Sequence, residues 1–238
     1  MSDTPSASPL FAPGRLGSLD VPNRFIRSAT CEFMAADDGS VTARLVDLLA
    51  ALAEGEVGLI ITGHANVRPD GKASPRQTGV FDDRFISGLS RITAAVHRYP
   101  SRVFLQIAHA GRQTKARLCG GTPVGPSPIY EPEFKLTPRE LSADEIVALI
   151  SDFVMAARRA REAGFDGVQL HCAHGYLLSG FLSPHTNRRL DDWGGTTARR
   201  ARIAVEILAG IKAACGGGFP VMAKLNSSDF LPAGLQVE

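Results

Sequence analysis

The sequence predicts an α/β fold, a (β/α)8 barrel of which about five of the eight strand–helix units are present. Three observations lead there. Short continuous apolar runs alternate with amphipathic stretches, the pattern of a parallel sheet buried on both faces. Polar residues gather at or near the C-terminal ends of those runs: Arg27, Ser28 and Cys31, then Thr62 and Gly63, Gln106 and His109, His171, and Lys224 and Asn226. A barrel brings all of these ends to one mouth, whereas an open doubly wound sheet, the alternative architecture, could use only some of them at its switch point. No G-x-G-x-x-G follows the first run, which weakens that alternative.

In chain order, residues 1–9 are rich in Ser and Pro and are expected as a mobile tail, with 10–238 forming the N-terminal part of a single barrel domain. "NRFIRSAT" (23–30) reads as a short buried strand. "TARLVDLLAALAEG" (42–55) reads as a helix with Leu45, Leu48, Leu49 and Leu52 on one face and Gly55 at its end. A strand at 57–63 and a helix at 82–99 follow, the latter with Phe85, Leu89, Ile92 and Val96 at helical spacing. A third strand is expected at 102–109, and a Pro/Gly-rich excursion over 119–141 interrupts the rhythm. The helix at 142–164 opens with Ser142 and, three residues on, Glu145, a capping box. Strands at 165–171 and 219–226 flank a helix at 196–216.

Composition narrows the function classes. The chain is 44% hydrophobic and 21% charged with a net charge of +2, ordinary for a globular protein and without the basic footprint of a nucleic-acid or acidic-membrane binder. The expected partner is a small molecule. Cys31, Cys119, Cys172 and Cys215 stand far apart with no C-x-x-C pair, which argues against zinc ribbons, iron–sulfur clusters and disulfide frameworks and favours a reducing cytoplasm. Neither a secretory leader nor a membrane span is expected.

"HCAHGYLLSGFL" (171–182) carries the chemistry. Gln169 and His171 share one face of their strand, Gly175 permits a bend, and His174 and Tyr176 return beside His171. Two readings are open. H-x-x-H suits zinc, but it follows a strand and lacks a nearby carboxylate. Two neutral imidazoles and a phenol aimed at one point instead suit binding of a carbonyl oxygen and delivery of a proton to carbon. No side chain supplies a hydride, so the second reading implies a cofactor.

"NRFIRSATCEFMA", "QIAHAGRQ", "GFDGVQLHCAHGYLLSGFLSPHTNRRLDDWGGTTARRARI" and "VMAKLNSSDF" together resemble the successive signatures of the Old Yellow Enzyme, or NADH:flavin oxidoreductase, family of FMN-dependent barrels. The resemblance spans roughly residues 9–230. It implies non-covalent FMN, NAD(P)H as reductant, and hydride transfer through the flavin to the activated C=C of an α,β-unsaturated carbonyl compound. It places His171 and His174 on the substrate oxygen and makes Tyr176 the proton donor. It puts Gln106 at the flavin's pyrimidine edge and Ala29, Thr30 and Gly63 against the ring, with Cys31 either tuning the flavin or resting as an inert buried thiol. Lys224 stands where the family usually has arginine, which keeps positive charge and loses the two-pronged donor. His109 and Arg112 are expected to shape the mouth without a chemical step, Asn187, Arg188 and Asp191 to lock a loop, and the 119–141 excursion to influence substrate choice.

A complete barrel takes about 250 residues or more, and the five expected strands already reach Asn226. The resemblance implies three further strands, whose loops hold the FMN phosphate. Without them the first and fifth strands are expected as bare edges, with the inward apolar face uncovered. Tight FMN binding by the chain alone then becomes doubtful, and a homo-oligomer or a complementing C-terminal fragment is expected. The competing functions are a non-catalytic, partner-completed half-barrel and, more weakly, a metal-dependent hydrolase using His171 and His174.

Overall fold

The computed structural model describes residues 8–236. Its centre is one parallel sheet of strands β1 (Ile26–Arg27), β2 (Leu59–Asn66), β3 (Arg102–Ala108), β4 (Gly167–Cys172) and β5 (Val221–Leu225), arranged in that order. Each strand pairs with the next in sequence. A doubly wound sheet would reverse its order at a switch point, so this is part of a barrel wall.

The helices α1 (Ala43–Glu54), α2 (Ile86–Val96), α3 (Ala143–Glu162) and α5 (Thr197–Cys215) cover the outer face, and α4 (Leu177–Leu182) crosses above β4. Alternation sorts the strand residues. Ile60, Val103, Leu105, Val168 and Leu170 point outward and pack with Leu49, Leu89, Phe153 and Ile203 from the helices. Leu59, Ile61 and Phe104 point inward and form a second, smaller cluster.

That inward cluster corrects one expectation. A hairpin pairing Gly14–Leu16 with Leu19–Val21, which the sequence reading passed over, lays Val21, Leu16 and Leu19 against the N-terminal half of the inner face. Gly17, at φ 61°, makes its tight turn. The first strand is also shorter and less buried than expected. Phe25 and Ile26 are 39% and 46% exposed because β1 has a neighbour on one side only. At the other edge Leu225 is 60% exposed.

Helix ends follow their capping residues. Thr42 and Thr196 cap α1 and α5. Asp82 caps a 3-10 turn at Asp83–Phe85, which starts the 82–99 segment before α2. The capping box is present: Glu145 N–H donates to Ser142 Oγ at 3.2 Å and Ser142 N–H to Glu145 Oε2 at 2.8 Å. Ser142→Ala is expected to cost about 1 kcal/mol, read as a lower urea midpoint with an unchanged slope. Of the expected tail, residues 1–7 lie outside the described residues, and Ser8 caps a 3-10 turn at Pro9–Phe11.

Candidate active site

The trio is built by a turn at the end of β4. His171 lies on the inner face, level with Lys224 on β5, while Leu170 and Cys172 go to the core. His174 and Gly175 are both left-handed, at φ 60° and 73°, which folds the chain back across the mouth before α4. A Cβ on Gly175 would come within 2.8 Å of Gln113 Nε2. His174 N–H donates to Asn226 Oδ1 at 3.0 Å, tying this turn to the end of β5.

The rings converge. The His171 centroid is 5.2 Å from that of His174 and 4.7 Å from that of Tyr176, both edge-on. His171 is 4% exposed. Burial, reinforced by His64, His174 and Lys224, pushes its pKa down to about 3. Its Nδ1 accepts from Ala173 N–H at 3.4 Å, so the neutral ring carries its proton on Nε2, a donor for a ligand. Burial, with Lys224 nearby, also lowers the pKa of His174. Tyr176 is raised by burial and by Cys31 and Glu133, which keeps the phenol protonated.

His64 is a residue of the mouth that the sequence reading missed. Along β2 Leu59 and Ile61 face inward, so strict alternation puts Gly63 inside and His64 among the helices. A bulge intervenes: Ile61 is level with Phe104, but His64, not Gly63, is level with Gln106. Thr62 Oγ1 holds the irregularity by donating to Gly63 C=O at 2.9 Å and accepting Gln106 N–H at 3.3 Å. The His64 ring therefore enters the mouth, 5.2 Å from Tyr176 and 5.9 Å from His171. Burial, with His174 and Lys224, pushes its pKa down to about 4. No spacing rule marks a bulge at "ITGHAN".

The other expected ring contacts separate. Gln106 Nε2 donates to Gln169 Oε1 at 2.7 Å, leaving Gln106 Oε1 as an acceptor and Gln169 Nε2 as a donor, side by side on the inner face. That pairing fits a pyrimidine edge of alternating carbonyls and N–H, and Gln169 joins Gln106 in it. Lys224 Nζ donates to Ser28 Oγ at 3.2 Å, across the open mouth between the two edge strands. Ala29 packs into the inner apolar cluster, and the Thr30 hydroxyl bonds Ser28 C=O at 3.2 Å. The Gly63 N–H is already taken by Glu32 Oε1 at 3.0 Å, a carboxylate that also pairs with Arg27 at 2.9 Å. The Cys31 thiol lies 3.9 Å from Ser74 Oγ, and burial raises its pKa, so it carries little thiolate.

Around the trio the frame is tied by hydrogen bonds and ion pairs. Arg112 pairs with Glu131 at 3.0 Å, and His109 Nδ1 accepts Gly111 N–H at 3.0 Å; both side chains shape loops. Asn187 Nδ2 donates to the carbonyls of Phe181 and Trp193, each at 2.8 Å. Asp191 is gripped by Arg189 rather than Arg188, with Nη2 to Oδ2 at 2.6 Å. A cavity of about 480 Å³ opens beside His174, lined by Tyr130, Glu131 and Pro132 of the excursion and by Ser179 and Phe230. Among the described residues no group of three or more His, Cys, Asp or Glu side chains is placed to hold a metal ion.

A partial (β/α) barrel with two converging histidine rings, a protonated phenol and a paired-amide floor defines a barrel of the flavin-oxidoreductase class. The chain belongs to the NADH:flavin oxidoreductase / NADH oxidase family, whose model matches residues 9–237. It is 42% identical over 231 residues to an NADH oxidase of Thermoanaerobacter brockii, covering 96% of this chain and 36% of that protein. To an NADPH dehydrogenase of Bacillus subtilis (strain 168) it is 36% identical over 232 residues, covering 97% and 67%. Among solved structures, a 2-naphthoyl-CoA reductase in complex with 2-naphthoyl-CoA superimposes with a TM-score of 0.92 at 31% identity, covering 96% of this chain and 37% of that one. An old yellow enzyme homologue from Zymomonas mobilis gives 0.86 at 31% identity, covering 91% and 62%. The chain thus spans about a third of the length of the first relative and about two thirds of the second. FMN and NAD(P)H, expected from the sequence, are the cofactors of this family.

Proposed function

We propose that this chain carries the ring-facing and substrate-facing part of an FMN-dependent ene-reductase acting on α,β-unsaturated carbonyl compounds. The observation that carries the reading is the neutral His171 ring, its Nε2–H free, set between His174 and the protonated Tyr176 above the Gln106–Gln169 floor. When bound, FMN reduced by NAD(P)H supplies the hydride that no side chain can supply.

The protein's own residues do the rest. Gln106 and Gln169 present an acceptor and a donor to the pyrimidine edge, and Lys224 places positive charge on the same face. His171 and His174 donate to the substrate oxygen, where negative charge gathers as the β-carbon is attacked. Tyr176 then delivers its proton to the α-carbon. Tyr130, Glu131 and Pro132 line the cavity beside His174, where they act on substrate choice.

The test is to add FMN to the purified chain, record the flavin absorbance band, and follow NAD(P)H oxidation with cyclohex-2-enone. Tyr176→Phe is expected to lower turnover by about a hundredfold or more with little change in enone affinity. No flavin uptake and no oxidation would overturn the reading. A second reading, completion of the barrel by a second copy or a separate fragment, is favoured by the exposed Phe25, Ile26 and Leu225 at the two edges. Size-exclusion chromatography of the chain decides it, since a flavin-loaded monomer excludes it. The four free cysteines suit a reducing, cytoplasmic setting. Among the described residues no helix is long and apolar enough to cross a membrane.

A further inference from the structure

Among the described residues two buried side-chain polar atoms lack a hydrogen-bond partner: Nε of Arg112 and Nε2 of His64. The Arg112 charge is still met, by Glu131 at 3.0 Å. His64 Nε2 has no such compensation, although the residue is only 7% exposed. A purely structural position would be filled without this penalty by an apolar side chain. The strand instead carries a bulge whose effect is to turn this ring into the mouth.

What surrounds His64 narrows what it meets. His171 and Tyr176 flank it, and His174 and Lys224 are close enough to bear on its charge. Each of these is an N–H or O–H donor, and no metal-binding group is formed among the described residues. A molecule seated among several donors must itself be rich in acceptors.

We infer that His64 is a third ligand-binding imidazole of this site and that its Nε2–H takes a second oxygen of the bound molecule. The site therefore selects compounds with two oxygen acceptors over compounds with one. The inference deepens the reading given above, because it rests on His171, His174 and Tyr176 binding the first oxygen. The low pKa of His64 agrees with it, since the ring stays neutral across the physiological range.

The test uses saturated probes, so that neither reduction nor thiol addition competes. Cyclohexanone and cyclohexane-1,4-dione are titrated into the chain, and the imidazole 15N shifts give the affinities. The dione is expected to bind about fivefold more tightly than the monoketone, the contribution of one added neutral hydrogen bond. In His64→Phe, which keeps a ring and deletes the nitrogen, the preference is expected to vanish. His64→Gln, which returns an N–H donor, is expected to restore part of it, and thermal melts establish that each variant is folded. Equal affinities in the wild type, no binding of either probe, or a preference that survives in folded His64→Phe would each overturn the inference. If the preference holds while the chain neither takes up FMN nor reduces cyclohex-2-enone, the oxidoreductase reading falls and the His64 site stands.

Discussion

Replacing Gly63 with alanine is expected to lower stability by about 3 kcal/mol and to withdraw His64 from the mouth. A Cβ at this position would lie 2.7 Å from Thr30 C=O and would drive into the Glu32 carboxylate. That carboxylate is held between the Gly63 N–H and Arg27, with side chains only 8% and 17% exposed. Moving it strips a buried pair of part of its hydrogen bonding, and breaking such a pair costs more than it contributes when intact. The other way to accommodate the methyl group is to straighten β2. That restores alternation and turns His64 toward the helices. Urea unfolding at pH 7 measures the first effect. NMR measures the second, as loss of the contacts between the His64 ring and the rings of Tyr176 and His171. Gly121→Ala, where an added Cβ meets nothing within 4 Å, is the matched control and is expected to leave both unchanged.

This bulge also marks the boundary of what the sequence discloses. Period-two alternation put Gln169 and His171 on one face of their strand, and helical spacing put Phe85, Leu89, Ile92 and Val96 on one face, which lies in the core. Both patterns depend on burial repeated over several residues, so they are written redundantly. The convergence of His171, His174 and Tyr176 was legible because a polar cluster follows an apolar strand directly. A bulge is a single inserted residue, and here it depends on Glu32, thirty-one positions away, accepting the Gly63 N–H. Nothing local announces it. The N-terminal hairpin was missed for a related reason. Its strands are three residues each, too short for alternation to register, and it is fixed by the apolar floor that it covers. Arg188 bonds the loop as expected, through His185 C=O at 3.2 Å, and Arg189 was overlooked beside it because adjacent arginines differ only in which one the loop turns inward.

Acidification from pH 6.5 to 5 is expected to cost the folded state about 3 kcal/mol from two rings, to which His174 adds in the same direction. In the unfolded chain His64 and His171 titrate at 6.5, whereas in the fold burial holds them at about 4 and about 3. Between those limits the unfolded chain binds more protons, so stability is full above pH 6.5 and falls as pH drops through this window. Carboxylates act elsewhere: Glu145, held at about 2 by Arg139 and Ser142, gives up its contribution only below its unfolded value of 4.5. Urea unfolding at the two pH values checks the drop, and in the double variant His64→Phe, His171→Phe it is expected to shrink to the part that His174 carries. A drop of the same size in that variant would mean that other groups carry it. On the mechanism proposed above, the acid sensitivity follows from what the site requires. A charged imidazole at His171 would share with Lys224 the task of balancing an oxyanion and would repel it, whereas a neutral one donates its Nε2–H and leaves the positive charge to the lysine. The stability lost on acidification is the cost of keeping two imidazoles dry and neutral beside a phenol that must stay protonated.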